Sequence, residues 1–273
     1  WEASLDRHGR EEELARETGE EGLLAKARLN LSQTYCSMRQ YDQALRCGEL
    51  ALAGFESSGG SAEQMGAADS NLGLIALGRG DLETAEHWLN LAAAAYRSID
   101  RPALLARTLM NLAIALQQDG RNEEAVPLCL EALQILEPTE HELDKVKVEL
   151  TLGTLYFNLK RMAEAGEAYR RADSAALRRS GDRYWMAMTA NNLGCVYLEL
   201  GRLEESEWAI SRSIALWRQT VGRLQLANSL GSMAETKLAM DRPEEALPFL
   251  DEAIAIAAEY PHDGWGRHIL AQY

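Results

Sequence analysis

Asn71–Ala85 reads NLGLIALGRGDLETA, and the same pattern recurs five more times along the chain. Asn30–Ala44 (NLSQTYCSMRQYDQA), Asn111–Ala125 (NLAIALQQDGRNEEA), Thr151–Ala165 (TLGTLYFNLKRMAEA), Asn192–Ser206 (NLGCVYLELGRLEES) and Ser232–Ala246 (SMAETKLAMDRPEEA) align with it without a gap. Their closing residues are spaced 41, 40, 40, 41 and 40 apart. Twelve positions before each stands a small residue: Ser32, Gly73, Ala113, Gly153, Gly194, Ala234. Seven positions after each stands another: Ala51, Ala92, Ala132, Ala172, Ser213, Ala253. A fixed period of this size marks an array of one supersecondary unit, repeated. Small residues at three places let two antiparallel helices approach at the close end of the usual 8–10 Å. Leu31, Leu72, Leu112, Leu152, Leu193 and Met233 supply the bulk beside those contacts.

The punctuation between helices is also legible. Each first helix runs into a glycine or charged turn (Gly78–Gly80, Gly120, Lys160, Gly201, Asp241). Asp42, Asp81 and Asn122 are placed to cap the second helices, and Pro243 to open one. Pro127 and Pro248 are expected in or near a first turn, where the missing N–H has no intrahelical partner. Longer linkers are read at SSGGS before Ala62, at EPTE (137–140) and at YPHD (260–263).

This pattern resembles the tetratricopeptide repeat, in the longer variant found in kinesin light chain, spindle-orientation adaptors and sensor domains of bacterial transcriptional activators. The period of 40–41 exceeds the 34 of the consensus, and the early tryptophan and closing proline of that consensus are not kept. The resemblance implies an all-α, right-handed superhelical solenoid of antiparallel helix pairs. Six repeats are assigned, at 21–60, 61–100, 101–140, 141–181, 182–222 and 223–263. Residues 1–20 match the second helix of a truncated leading repeat, and 264–273 the start of a seventh. The whole is read as a single solenoid cut from something longer. Cut ends leave an apolar face uncovered, so self-association through them is one expectation.

Composition bounds the function. A net charge of −14 repels phosphate backbones, so nucleic acid is not an expected partner. No apolar stretch approaches a membrane span. Cys36, Cys47, Cys129 and Cys195 lack any CxxC spacing and read as buried thiols of a reducing, cytoplasmic setting. The five histidines show no metal-ligand pairing, and no phosphate loop or nucleophile elbow occurs. Neither an enzyme nor a cofactor is expected. Arg79-Gly80-Asp81 and Asn30-Leu31-Ser32 spell an adhesion tripeptide and a glycosylation acceptor, yet both fall on structural positions of the repeat.

In the resembled family the first helices line the concave side. Helical geometry then selects one inward stripe on each. On it lie the candidate binding residues Lys26, Asn30, Gln33, Ser70, Asn71, Arg107, Asn111, Lys147, Thr151, Asn191, Asn192 and Asn228. One column recurs as Asn30, Asn71, Asn111 and Asn192, with Thr151 and Ser232 in the other repeats. An amide both donates and accepts, so such a row can hold an extended backbone with little regard to sequence. The competing role for the column is to fix the stacking of neighbouring repeats. The six first helices sum to −2 and the six second-helix segments to −9, which leaves the inner stripe less acidic than the outer wall. The expected partner is a protein or extended peptide carrying acidic residues to meet Lys26, Arg107 and Lys147. The alternative is an effector-sensing regulatory domain of a bacterial signalling protein or transcriptional regulator.

Overall fold

A computed structural model describes residues 2–178, 182–260 and 271. Among them are thirteen α-helices and no strand. Two compact units divide the chain, Trp1–Pro138 and Thr139–Tyr273. The first holds α1 (Glu2–Thr18), α2 (Glu21–Ser37), α3 (Tyr41–Ser58), α4 (Ala62–Arg79), α5 (Leu82–Ser98), α6 (Pro102–Gln118) and α7 (Asn122–Leu136). The second holds α8 (Glu142–Asn158), α9 (Met162–Arg178), α10 (Arg183–Glu199), α11 (Leu203–Trp217), α12 (Arg223–Ala239) and α13 (Pro243–Ala258). Each of the six sequence repeats contains one antiparallel pair, and consecutive pairs pack within each unit. The helix read at 264–273 lies, but for residue 271, outside the described residues.

All eighteen small positions are buried, as are the six large residues beside them. Their packing is reciprocal. Where the central residue is glycine, a large side chain fills the place opposite: Leu89 over Gly73, Tyr169 over Gly153, Ile210 over Gly194. A Cβ on Gly73 would stand 2.7 Å from Leu89 Cγ. Where the central residue is Ser32, the equivalent of those large residues is Gly48. Serines at small positions bond the opposite backbone, Ser32 Oγ donating to the Ala44 carbonyl and Ser206 Oγ to that of Gly194. Burying the hydroxyls therefore leaves no unmet donor.

One turn serves all six pairs. Arg39, Gly80, Gly120, Lys160, Gly201 and Asp241 sit at φ between 57° and 79°. The next residue's N–H bonds back five residues: Gln40 to Tyr35, Asp81 to Ala76, Arg121 to Leu116, Arg161 to Tyr156, Arg202 to Tyr197, Arg242 to Lys237, at 2.8–3.0 Å. This is the Schellman closure, for which glycine at the left-handed position is the unstrained choice.

Helix starts depart from the sequence reading at four residues. Asp81 caps α5 through Thr84 N, and Pro243 opens α13. Asp42 and Asn122 instead lie inside the first turns of α3 and α7, behind Gln40 and Arg121. Pro127 and Pro248 lie within α7 and α13 at the sixth position, one turn later than expected. Each forgoes one ladder hydrogen bond there. Of the linkers, SSGGS is partly helical: α3 runs to Ser58, Gly59 closes it, and Ser61 with Gln64 forms a capping box on α4.

Ion pairs bridge successive repeats on the outer helices: Arg97–Glu131, Arg121–Glu86, Arg212–Asp173 and Arg218–Glu252. The adhesion tripeptide dissolves into this architecture, with Arg79 paired to Asp42, Gly80 closing α4 and Asp81 capping α5. Ser32 of the glycosylation acceptor is fully buried.

Candidate binding face

Within each unit the first helices touch their successors: α2 meets α4 and α4 meets α6, while α8 meets α10 and α10 meets α12. Among the described residues no second helix approaches the next as closely. Curvature brings inner elements together and spreads outer ones, so the first helices form the inner face of each unit. That is the placement the resemblance implied.

In the first unit Lys26 and Gln33 are exposed on α2, with Asn30 half-buried between them. On α4, Ser70 is half-buried and Asn71 is buried; on α6, Arg107 is exposed and Asn111 half-buried. Lys26 and Arg107 make no hydrogen bond or ion pair among the described residues, nor does the Asn111 side chain. Asn71 is different. It is 4 % exposed and donates Nδ2 to Ser32 Oγ at 2.6 Å, tying α4 to α2. At this position the side chain is engaged in stacking neighbouring repeats, the competing role read from the sequence.

A cavity of about 510 Å³ opens between α1 and α2, and Lys26 and Asn30 both line it. Its other walls come from the leading helix: Arg7, His8, Glu11 and the largely exposed Leu14, with Leu23 opposite. His8 Nδ1 lies 2.8 Å from Glu11 Oε2. Hydrogen bonding from His8 above all, helped by Asn30, holds the Glu11 carboxyl below its usual range. The sequence reading missed this wall because it sought inward residues only on first helices. The cue was the 40-residue register that places 2–20 beside α2.

In the second unit Lys147 is half-buried on α8, its Nζ 5.9 Å from the centre of the Trp185 ring. Trp185 stacks edge-on with Tyr184, and Tyr184 with Trp217, at 5.0 and 5.1 Å. Thr151 turns its hydroxyl back to the Lys147 carbonyl. On α10, Asn191 is buried and Asn192 half-buried; Asn228 is half-buried on α12. Cys195 Sγ lies 3.7 Å from Ser232 Oγ, a stacking contact between α10 and α12. These aromatics were not assigned from sequence, since nothing in a helical repeat distinguishes an inner tryptophan from a core one.

The four cysteines are free; Cys129 is buried as expected, whereas Cys36, Cys47 and Cys195 are only half-buried. Burial pushes the Cys36 and Cys47 thiols up, and Cys195 to about 11. Among the described residues no cluster of metal-ligating groups occurs, and no helix is long and apolar enough to cross a membrane.

Models of the tetratricopeptide repeat match residues 64–137, 104–172, 144–207 and 185–259, and a second model of the same description matches 24–57. Protein KINESIN LIGHT CHAIN-RELATED 1 of Arabidopsis thaliana is 21% identical over 240 residues, covering 85% of this chain and 39% of that protein. The chain thus spans about two-fifths of that relative's length. Among solved structures, the apo form of RapI superposes with a TM-score of 0.75 at 13% identity, over 98% of this chain and 77% of that one. NprR in complex with its cognate peptide NprX gives 0.63 at 16% identity, over 87% and 68%.

Proposed function

This chain belongs to the tetratricopeptide repeat family, and from that premise we propose that it holds an extended segment of a partner protein against the inner faces of its first helices. The observation that carries this reading is the set of unpaired polar groups there. Among the described residues Asn111 and Asn192 keep their amides free, and Lys26 and Arg107 keep their charges unpaired, while the outer helices neutralise theirs in ion-pair ladders. Free amides suit a peptide backbone and free cations suit acidic side chains. Each exposed charge contact is worth only about 0.2–1 kcal/mol, so charge tunes association rate and selectivity more than affinity. The peptide complex of NprR, on a similar fold, supports the same reading. It gives the chain no catalytic step, and free thiols suit a reducing compartment such as the cytoplasm.

Random linear peptides displayed on phage test it. Selection should enrich linear sequences rich in Asp and Glu, and the winners should bind Lys26→Glu/Arg107→Glu more slowly at low salt. The difference should fade near 0.5 M salt, where the Debye length is about 4 Å. Peptides that bind the charge-reversed protein equally fast would remove the acidic partner. No enrichment at all would remove the peptide reading.

A second reading is favoured by the α1–α2 cavity, whose volume of about 510 Å³ lies within the roughly 300–1,000 Å³ of small-molecule sites. In it, a compact effector binds there and the chain serves as the sensor of a signalling protein or transcriptional regulator. Effector binding should then be lost in Lys26→Ala while peptides still engage Asn111 and Asn192.

A further inference from the structure

Asn191 is 5 % exposed, and its Oδ1 has no hydrogen-bond partner among the described residues; its Nδ2 reaches only Cys195 Sγ, at 3.9 Å. Buried carbonyl oxygens are seldom left in that state. Asn191 lines a cavity of about 40 Å³ between α10 and α12, walled also by Met188, Trp217, Asn192, Gln225 and Asn228. A single water needs roughly 10–15 Å³, so there is room for a larger group. The chemistry of the walls narrows what that group is. Among the described residues no charged side chain lines the cavity, so neither a carboxylate nor an ammonium finds a counter-ion there. Ser229 Oγ is taken by Ser213, whereas the side chains of Asn192, Gln225 and Asn228 have no hydrogen-bond partner among the described residues.

Resting on the peptide-binding reading, we infer that this cavity is a subsite for a neutral carboxamide, the side chain of an Asn or Gln in the bound segment. Its carbonyl accepts from the neighbouring wall amides, and its N–H donates to Asn191 Oδ1 once that amide turns its buried oxygen toward the cavity. The two orientations of an asparagine amide differ only in which atom is left unpaired. A carboxamide, both donor and acceptor, serves either. Trp217 and Met188 supply apolar contact for the methylene next to it.

Acetamide is the probe, with acetone as a control of the same shape that lacks an N–H. In the ¹⁵N-labelled intact chain, acetamide should shift the side-chain NH₂ signals of Asn191, Asn192, Gln225 and Asn228 saturably, and acetone should not. Asn191→Leu should abolish the response while helical content and melting temperature are kept. Equal shifts with both probes, or none with either, overturn the subsite, the second result including an ordered water that acetamide does not displace. The comparison of the two probes on the unaltered chain decides the matter even where Asn191→Leu fails to fold. A negative result leaves the peptide reading standing, because peptides selected on phage would still bind; failure of those peptides would not alter the acetamide result.

Discussion

Asn71 Nδ2 donates to Ser32 Oγ across 2.6 Å, and Ser32 Oγ donates in turn to the Ala44 carbonyl at 2.5 Å. Three helices, α4, α2 and α3, are joined by this relay between residues 39 apart in sequence. It assigns one member of the asparagine column to stacking.

Asn71→Ala is therefore expected to lower folding stability by about 0.5–1.5 kcal/mol, the net worth of a buried hydrogen bond whose partner Ser32 keeps its own bond to Ala44. Asn111→Ala, in the same column but half-buried and unbonded, should stay within about 0.5 kcal/mol of the parent. Urea melts of the two variants check the contrast. Equal losses would mean that Asn111 stacks as well, and would weaken its assignment to ligand contact.

Gly73 faces Leu89 so closely that an added methyl must displace it. Overpacking of this kind typically costs about 1–3 kcal/mol, more than the ~1 kcal/mol that alanine gains over glycine in a helix. Gly73→Ala should thus destabilise. Gly9→Ala in α1, where a Cβ meets nothing within 4 Å, should stabilise by roughly 0.5–1 kcal/mol. In a double-mutant cycle, Leu89→Ala should be less damaging in the Gly73→Ala background than in the parent chain.

At Lys160, with φ of 58°, the usual order of helix formers should invert. The left-handed conformation costs a non-glycine residue roughly 1–2 kcal/mol. Both Lys160→Ala and Lys160→Gly delete the exposed pair with Glu199, so their difference isolates the backbone. Lys160→Gly should melt higher, by about 1 kcal/mol of stability. If Lys160→Ala proves the more stable, the turn does not hold this conformation in solution.

Asp69 and Glu149 occupy equivalent positions, four before Gly73 and Gly153, and both are 7 % exposed. Glu149 meets Arg171 at 2.6 and 2.9 Å; Asp69 has no such partner among the described residues. Desolvation first, with Glu56 adding to it and His87 opposing it, raises the Asp69 pKa from 3.8 to about 6. The folded state therefore favours the protonated acid. Its contribution is complete below about pH 4 and is lost as pH rises through about 6. Asp69→Asn should be more stable than the parent near pH 7.5, by on the order of 1–3 kcal/mol, with the gap closing near pH 4.5. Denaturant melts at the two pH values check this, and a gap that does not change with pH would show that Asp69 stays charged in the fold.

The sequence by itself determined the helix pairs, their order, the turn that closes each first helix and the small and large residues packed between the helices. These follow from local chemistry repeated at a fixed period: small residues where helices meet, and a left-handed residue where the chain reverses. Four positions slipped, those of Asp42, Asn122, Pro127 and Pro248, because a periodic pattern marks a helix face better than its first residue.

Only the tertiary structure decided what each inward residue does. Asn71 and Asn111 are the same residue at the same step of the repeat, yet the position 39 before Asn71 is Ser32, and 38 before Asn111 is Gly73. A hydroxyl there captures one amide; its absence leaves the other free. The same holds for the α1–α2 cavity and for the unpartnered oxygen of Asn191, which arise from side chains brought together by stacking. Periodicity fixes which face a residue shares, but the partner it finds depends on a neighbour some forty residues away, whose identity the repeat leaves free to vary.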